Sequence, residues 1–206
     1  MIISTSLKFV FAAIPKTGTH SVRRALRAHM APEDLEQVGL FVQRSLPIPE
    51  LARIGHGHIT LAQLRPHMPP EDFAAFFKFA FVRNPFDRFV SYSSFITREV
   101  GHFDRDPRKV MRYFLANPPW DHILFRPQHE FVTDRDGALL TDYIGRTEQM
   151  QQCYDEICVR IGIPSATLEQ VNSSRRGSYR DYYDQQLTDG VARLYARDLE
   201  LFGYQF

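Results

Sequence analysis

The sequence predicts an α/β protein with a mostly parallel central sheet flanked by helices, folded as one domain over residues 1–206. Three observations carry that prediction. Apolar runs at residues 9–14 and 77–82 are too short for isolated helices, and each ends in turn-forming residues that open a helical pattern. Residues 147–161 repeat apolar side chains at helical spacing. Short strands separated by helices are the signature of this architecture, and 206 residues suffice to bury a core.

In chain order, the run at 9–14 is the first strand, closed by Pro15. Thr17, Gly18, Thr19 and Ser21 are small residues that leave backbone N–H groups accessible, and Lys16 adds a mobile positive charge. Val22, Ala25 and Leu26 then recur at helical spacing. A strand, a small-residue loop and a helix start form an anion cradle, because free N–H groups and the helix dipole point at the ligand. The triphosphate-binding loop needs a Lys directly after its second Gly, and here Lys16 precedes the loop's only Gly.

Residues 31–43 read as a connection with helix-start signals at Pro32, Glu33 and Asp34. Within residues 53–64, His56 and His58 flank Gly57, so an extended backbone turns both rings to one side. Zinc would need further ligands at a recognisable spacing, which this stretch lacks. Residues 71–77 suit a short helix, and 77–82 form the second strand. Arg83 stands at that strand's end, where open α/β sheets bind ligands. Asn84 and Pro85 are an N-cap and a first helical residue. Phe86, Phe89, Val90 and Ile96 should face a core, Ser91 lies two turns along, and Arg88 and Arg98 read as surface or ion-pair residues.

Residues 101–107 read as a loop, 107–115 as a helix, and 139–144 as a third strand after the turn at 134–137. Trp120, His122, Tyr179 and Tyr182 are aromatic candidates for a pocket rim, although simple packing would also account for each. The helix at 147–161 buries Met150, Cys153, Tyr154, Ile157, Cys158 and Ile161 and stops at Gly162 and Pro164. Residues 171–181 are polar, a solvated loop or an anion-binding lid. Asp184 caps a last helix whose stripe is Leu187, Val191, Leu194, Tyr195 and Phe202.

A net charge of +1 gives no global electrostatic case for nucleic acid, so an anion site must be local. Cys153 and Cys158 sit in a helical pattern and read as core thiols. The first apolar run leads into PKTGT rather than a cleavage site, and no stretch approaches membrane-spanning length. A soluble, cytoplasmic protein without a membrane span is expected.

PKTGTHS after the first strand resembles the 5′-phosphosulfate loop of sulfotransferases that use 3′-phosphoadenosine 5′-phosphosulfate (PAPS). FVRNPFDRFVSYSSF resembles their 3′-phosphate signature, and NSSRRGSYRDYYDQQL with LYARDLELFGY is similar to the closing segment of carbohydrate-type and bacterial members. The resemblance implies a P-loop-like sulfotransferase fold and PAPS as co-substrate, with no metal. By residue, it implies that Lys16, Thr17, Gly18, Thr19, His20 and Ser21 hold the 5′-phosphosulfate and that Arg83 and Ser91 hold the 3′-phosphate. Arg175, Arg176 and Gly177 match a loop that closes over the nucleotide. GHGH resembles the histidine pair of heparan and uronyl 2-O-sulfotransferases, with Gly55 in place of their aromatic residue. That match implies His58 as general base, His56 as its assistant or a positioner of the acceptor, and a hydroxyl acceptor on a carbohydrate.

The residue chemistry suits such a transfer. In-line group displacement spreads negative charge over peripheral oxygens, so the protein positions groups and stabilises charge. Lys16 can neutralise the bridging oxygen, and histidine can take the hydroxyl proton at neutral pH. Two other readings share this fold: a nucleotide or small-molecule kinase, against which the missing GK[ST] step weighs, and a non-catalytic nucleotide-binding protein.

Overall fold

The computed structural model of the protein describes residues 1–40, 42–169 and 177–206. Along them run β1 (Ile2–Ser4), β2 (Phe9–Ala12), α1 (Thr19–Arg27), β3 (Leu35–Glu36), β4 (Val38–Leu40), β5 (Val42–Arg44), α2 (Pro49–Ala52), α3 (Leu61–Leu64) and α4 (Pro70–Ala75). There follow β6 (Phe77–Val82), α5 (Pro85–Thr97), α6 (His102–Arg105), α7 (Pro107–Ala116), β7 (Tyr143–Arg146), α8 (Met150–Ile161), α9 (Gln185–Leu194) and α10 (Ala196–Phe202). The described residues of Met1–Val82 and Glu130–Val171 form one compact unit, and those of Arg83–His129 and Asn172–Phe206 form a second.

The first unit carries a five-stranded sheet in the order β3-β1-β2-β6-β7. β2 pairs with β6, and β6 with β7, in parallel, whereas β1 runs antiparallel to both its neighbours. The sheet is therefore mixed: β1 opposes the direction shared by the other four strands. Four residues separate β1 from β2, enough for a hairpin and far too few for a parallel crossover. Phe9, Phe11, Phe79 and Phe81 alternate onto one face and meet Val22 and Leu26 of α1 and Cys153, Tyr154, Ile157, Cys158 and Ile161 of α8. Phe11 stacks on Phe79 with ring centroids 5.2 Å apart. Each such fully buried ring contributes about 2–3 kcal/mol relative to exposure. The predicted inner face of the helix at 147–161 is the observed one, and both cysteines are free thiols in it.

The second unit packs α5, α7 and α9 around Phe86, Phe89, Tyr92, Phe114, Phe125 and Leu187. The Asn84 side chain accepts the Phe86 N–H at 3.0 Å, so the cap expected at the start of α5 is made.

Several expectations are corrected. The third strand lies at Tyr143–Arg146 rather than 139–144, and Leu139 makes an isolated bridge to Thr133 on the way. Apolarity placed it too early: Leu139 is exposed, while Gly145 is the strand's buried residue against Phe81. The connection at 31–43 carries β3, β4 and the start of β5, and its helix-start signals open no helix among the described residues. Its Asp34 carboxylate, a plausible cap in sequence, instead accepts from the Ser4 and Ser6 hydroxyls and the Ser6 and Ala31 N–H groups. Residues 101–107 hold the short helix α6, anchored by buried Phe103. The last helix is two, α9 and α10, broken at Tyr195. Ile96 is exposed rather than core-facing. Arg88 is buried rather than on the surface: its Nη2 donates to the carbonyls of Leu124 and Arg126, and its guanidinium lies over the Tyr195 ring.

Candidate functional site

β2 delivers the chain to the loop of residues 15–21 as a sheet strand end. Lys16 and Gly18 both adopt left-handed backbone, with φ 68° and 73°. That conformation is ordinary for Gly18 and strained for Lys16, and alternating hand in a short loop turns successive N–H groups toward one concavity. α1 begins at Thr19 with Gly18 as its N-cap, no side-chain cap and no acidic residue in its first turn. The Ser21 N–H donates to the Gly18 carbonyl at 3.2 Å, and the positive end of the helix dipole faces the loop. The local field suits an anion. The His20 imidazole is held below its ordinary value, chiefly by burial and then by the positive charges of Arg23, Arg27 and Lys16.

The side chains of the loop divide in role. The buried Thr17 hydroxyl donates to the Ile14 carbonyl at 2.9 Å, and the Ser21 hydroxyl donates to the Glu169 carbonyl at 2.6 Å. Both brace the loop, while Lys16 and His20 are half-buried. Thr147, which sequence reasoning did not single out, bonds the Thr17 carbonyl at 3.3 Å and the Val82 carbonyl at 3.0 Å. A hydroxyl just past a strand is too common a pattern to flag it in advance.

His58 sits against the same strand end. Its Nδ1 lies 2.7 Å from the Ala13 carbonyl, two residues before the loop opens. A carbonyl only accepts, so Nδ1 carries the proton and Nε2 is left with its lone pair. Burial, with the Arg23 guanidinium adding to it, pushes the half-buried imidazole down to about 3, although the Ala13 bond acts in the opposite direction. The His56 and His58 rings lie 5.9 Å apart, and His56 Nδ1 accepts the His58 N–H at 3.3 Å. The pair is on one side, as expected, but on a bend rather than an extended strand. Gly57 is what permits the bend to pack. A Cβ there would stand 2.2 Å from the Gln37 carbonyl and 2.5 Å from Arg23 Nη2. Arg23 is itself buried and donates to the Gly57 carbonyl at 3.0 Å.

In the second unit, Arg83 follows β6 directly. Its Nε and Nη2 both reach Asp87 Oδ2, each at 2.7 Å, one helical turn on. Ser91 is half-buried on α5. Gly177 is exposed, while Arg175 and Arg176 and most of the polar stretch at 171–181 lie outside the described residues. Of the aromatic candidates, Trp120 is half exposed and lines a groove of about 610 Å³ with Arg112, Leu115, Leu187 and Arg193. His122 packs on Tyr92, Tyr182 on Phe103, and Tyr179 on Tyr183 and Phe206.

A family model described as the sulfotransferase family matches residues 1–205. The chain belongs to that family. No curated protein and no solved structure matches it. Membership supports sulfuryl transfer to an acceptor as the chemistry of this sulfotransferase, and the α/β fold with its central sheet and flanking helices agrees with it. Among the described residues, no group of three or more His, Cys, Asp or Glu is placed to hold a metal ion, and no helix is long and apolar enough to cross a membrane.

Proposed function

We propose that this sulfotransferase moves the sulfuryl group of PAPS to a hydroxyl of a carbohydrate acceptor, with His58 as general base. The observation that carries the reading is the Nδ1 contact of His58 to Ala13, because it turns a lone-pair-bearing Nε2 toward use as a base beside the strand that feeds the loop. The residues fit the donor. The uncapped start of α1 and the left-handed Lys16 and Gly18 suit the 5′-phosphosulfate. The carboxylate-held guanidinium of Arg83, with the Ser91 hydroxyl, suits the 3′-phosphate.

In the proposed reaction the acceptor oxygen attacks sulfur in line, the bond from sulfur to the bridging phosphate oxygen breaks, and 3′-phosphoadenosine 5′-phosphate (PAP) leaves. His58 Nε2 takes the hydroxyl proton. Lys16 neutralises charge on the bridging oxygen, and the loop N–H groups hold the peripheral oxygens. With its Nδ1 accepting, His56 carries its proton on Nε2 and can donate to the acceptor.

PAP release from PAPS in the presence of oligosaccharide acceptors is the direct test. Acceptor-dependent PAP formation that His58→Ala abolishes is the expected result. Turnover unchanged in His58→Ala would reject His58 as base, and phosphoryl transfer from ATP in place of PAPS turnover would replace the reading with a kinase.

A further inference from the structure

Arg83 lies one residue past Val82, the last paired position of β6. Its backbone is nevertheless paired on both sides by one side chain. The Arg83 N–H donates to Gln128 Oε1 at 2.9 Å, and Gln128 Nε2 donates to the Arg83 carbonyl at 2.9 Å. A single amide thus plays the part of a neighbouring strand. Gln128 is fully buried, and its orientation is unambiguous because each end has only one chemically possible role.

Gln128 is held in turn. Its N–H donates to Asp198 Oδ2 at 2.8 Å, and Asp198 Oδ1 accepts the His129 N–H at 2.8 Å and meets His129 Nδ1 at 2.7 Å. Asp198, on α10, is fully buried. The preceding carbonyls of Leu124, Phe125 and Arg126 are taken by Arg88 and by the Tyr195 hydroxyl. A segment with little regular structure is therefore pinned by three buried polar side chains from α5 and the C-terminal helices. Burying charged and polar groups is costly unless they are paired, and an apolar core would stabilise the unit as well. What the network adds is a fixed direction for the residue at its end.

We propose that Gln128 and Asp198 are positioning residues that aim the Arg83 guanidinium and so set selectivity for a 3′-phosphorylated nucleotide. Asp87 fixes the guanidinium plane, and Gln128 fixes the backbone from which it springs. The inference rests on the assignment of Arg83 to the 3′-phosphate under Proposed function.

The test compares dissociation constants for PAP and adenosine 5′-monophosphate, which differ by the 3′-phosphate alone, in wild type, Gln128→Met, Gln128→Glu and Asp198→Asn. Wild type should prefer PAP by about tenfold or more. Gln128→Met and Asp198→Asn should lose most of that preference while adenosine 5′-monophosphate affinity stays within about threefold. Gln128→Glu keeps the acceptor for the Arg83 N–H and should retain an intermediate preference, and it serves if Gln128→Met fails to melt cooperatively. Variants that melt at lower temperature but keep the wild-type preference would overturn the proposal and leave Gln128 a structural residue. A wild type without preference for PAP would instead overturn the donor assignment itself.

Discussion

Substituting His58 and following activity against pH separates a catalytic imidazole from a structural one. An unperturbed imidazole titrates near 6.5. Burial and the nearby Arg23 guanidinium push His58 down to about 3. kcat/KM reports groups of the free enzyme. A base titrating at 6.5 would be about 10% active one unit below that value, so kcat/KM would fall about tenfold between about pH 7.5 and pH 5.5. For His58 the same interval should cost less than about twofold. kcat should behave differently, because a bound polyanionic donor favours the imidazolium, so its acid limb should lie at higher pH than that of kcat/KM. His58→Gln should lower kcat by about 10²–10⁴-fold with a smaller change in KM. Stability gives a second readout. The folded-state value lies below the unfolded one, so this stabilisation is complete above about 6.5 and is lost as pH falls toward about 3, amounting to about 3 kcal/mol by pH 4. His58→Gln should remove that slope. An acid limb of kcat/KM near 6.5, or a variant that retains turnover, would refute the reasoning.

Other substitutions follow from the same geometry. Arg83→Ala should weaken PAP binding about 10–100-fold in calorimetry and leave adenosine 5′-monophosphate binding nearly unchanged. Gly57→Ala forces a Cβ to within 2.2 Å of the Gln37 carbonyl, so the GHGH bend must shift. It should cost about 2 kcal/mol or more in urea unfolding and reduce turnover even in folded protein. Arg88→Met strands the Leu124 and Arg126 carbonyls and should lower stability by about 2–4 kcal/mol, or about 2–4 °C in Tm per kcal/mol. A change under about 0.5 kcal/mol would mean that water or neighbours satisfy those carbonyls.

Much of the site's scaffold was legible in sequence because its signals are local. The Phe9 and Phe77 strands, the Asn84-Pro85 helix start and the inner face of α8 each follow from a short pattern that packing does not overrule. The misreadings share a different cause, since each depends on partners far along the chain. β1 is too short to announce itself and exists by pairing with β2 and β3. Arg88 looks like any surface arginine until the carbonyls at 124 and 126 are brought to it. Asp34 carries a helix-cap signature that the β1–β2 turn takes up instead. For the candidate site, the loop residues and the histidine pair were visible as motifs. The bonds of the Thr17 and Ser21 hydroxyls to backbone carbonyls, the Asp87 clamp on Arg83 and the bracing by Thr147 and Gln128 depend on the folded backbone and leave no local pattern in the sequence.

The donor assignment is tested most directly by the thermal shift that PAP produces, set against ATP and ADP, in wild type and Arg83→Ala. A ligand at about 100 times its Kd adds about 2.7 kcal/mol to the native state, or roughly 5–11 °C for a chain of this size. A PAP donor site predicts a shift of that order with PAP, little with ATP or ADP, and its loss in Arg83→Ala. A clear shift with ATP and none with PAP would contradict it.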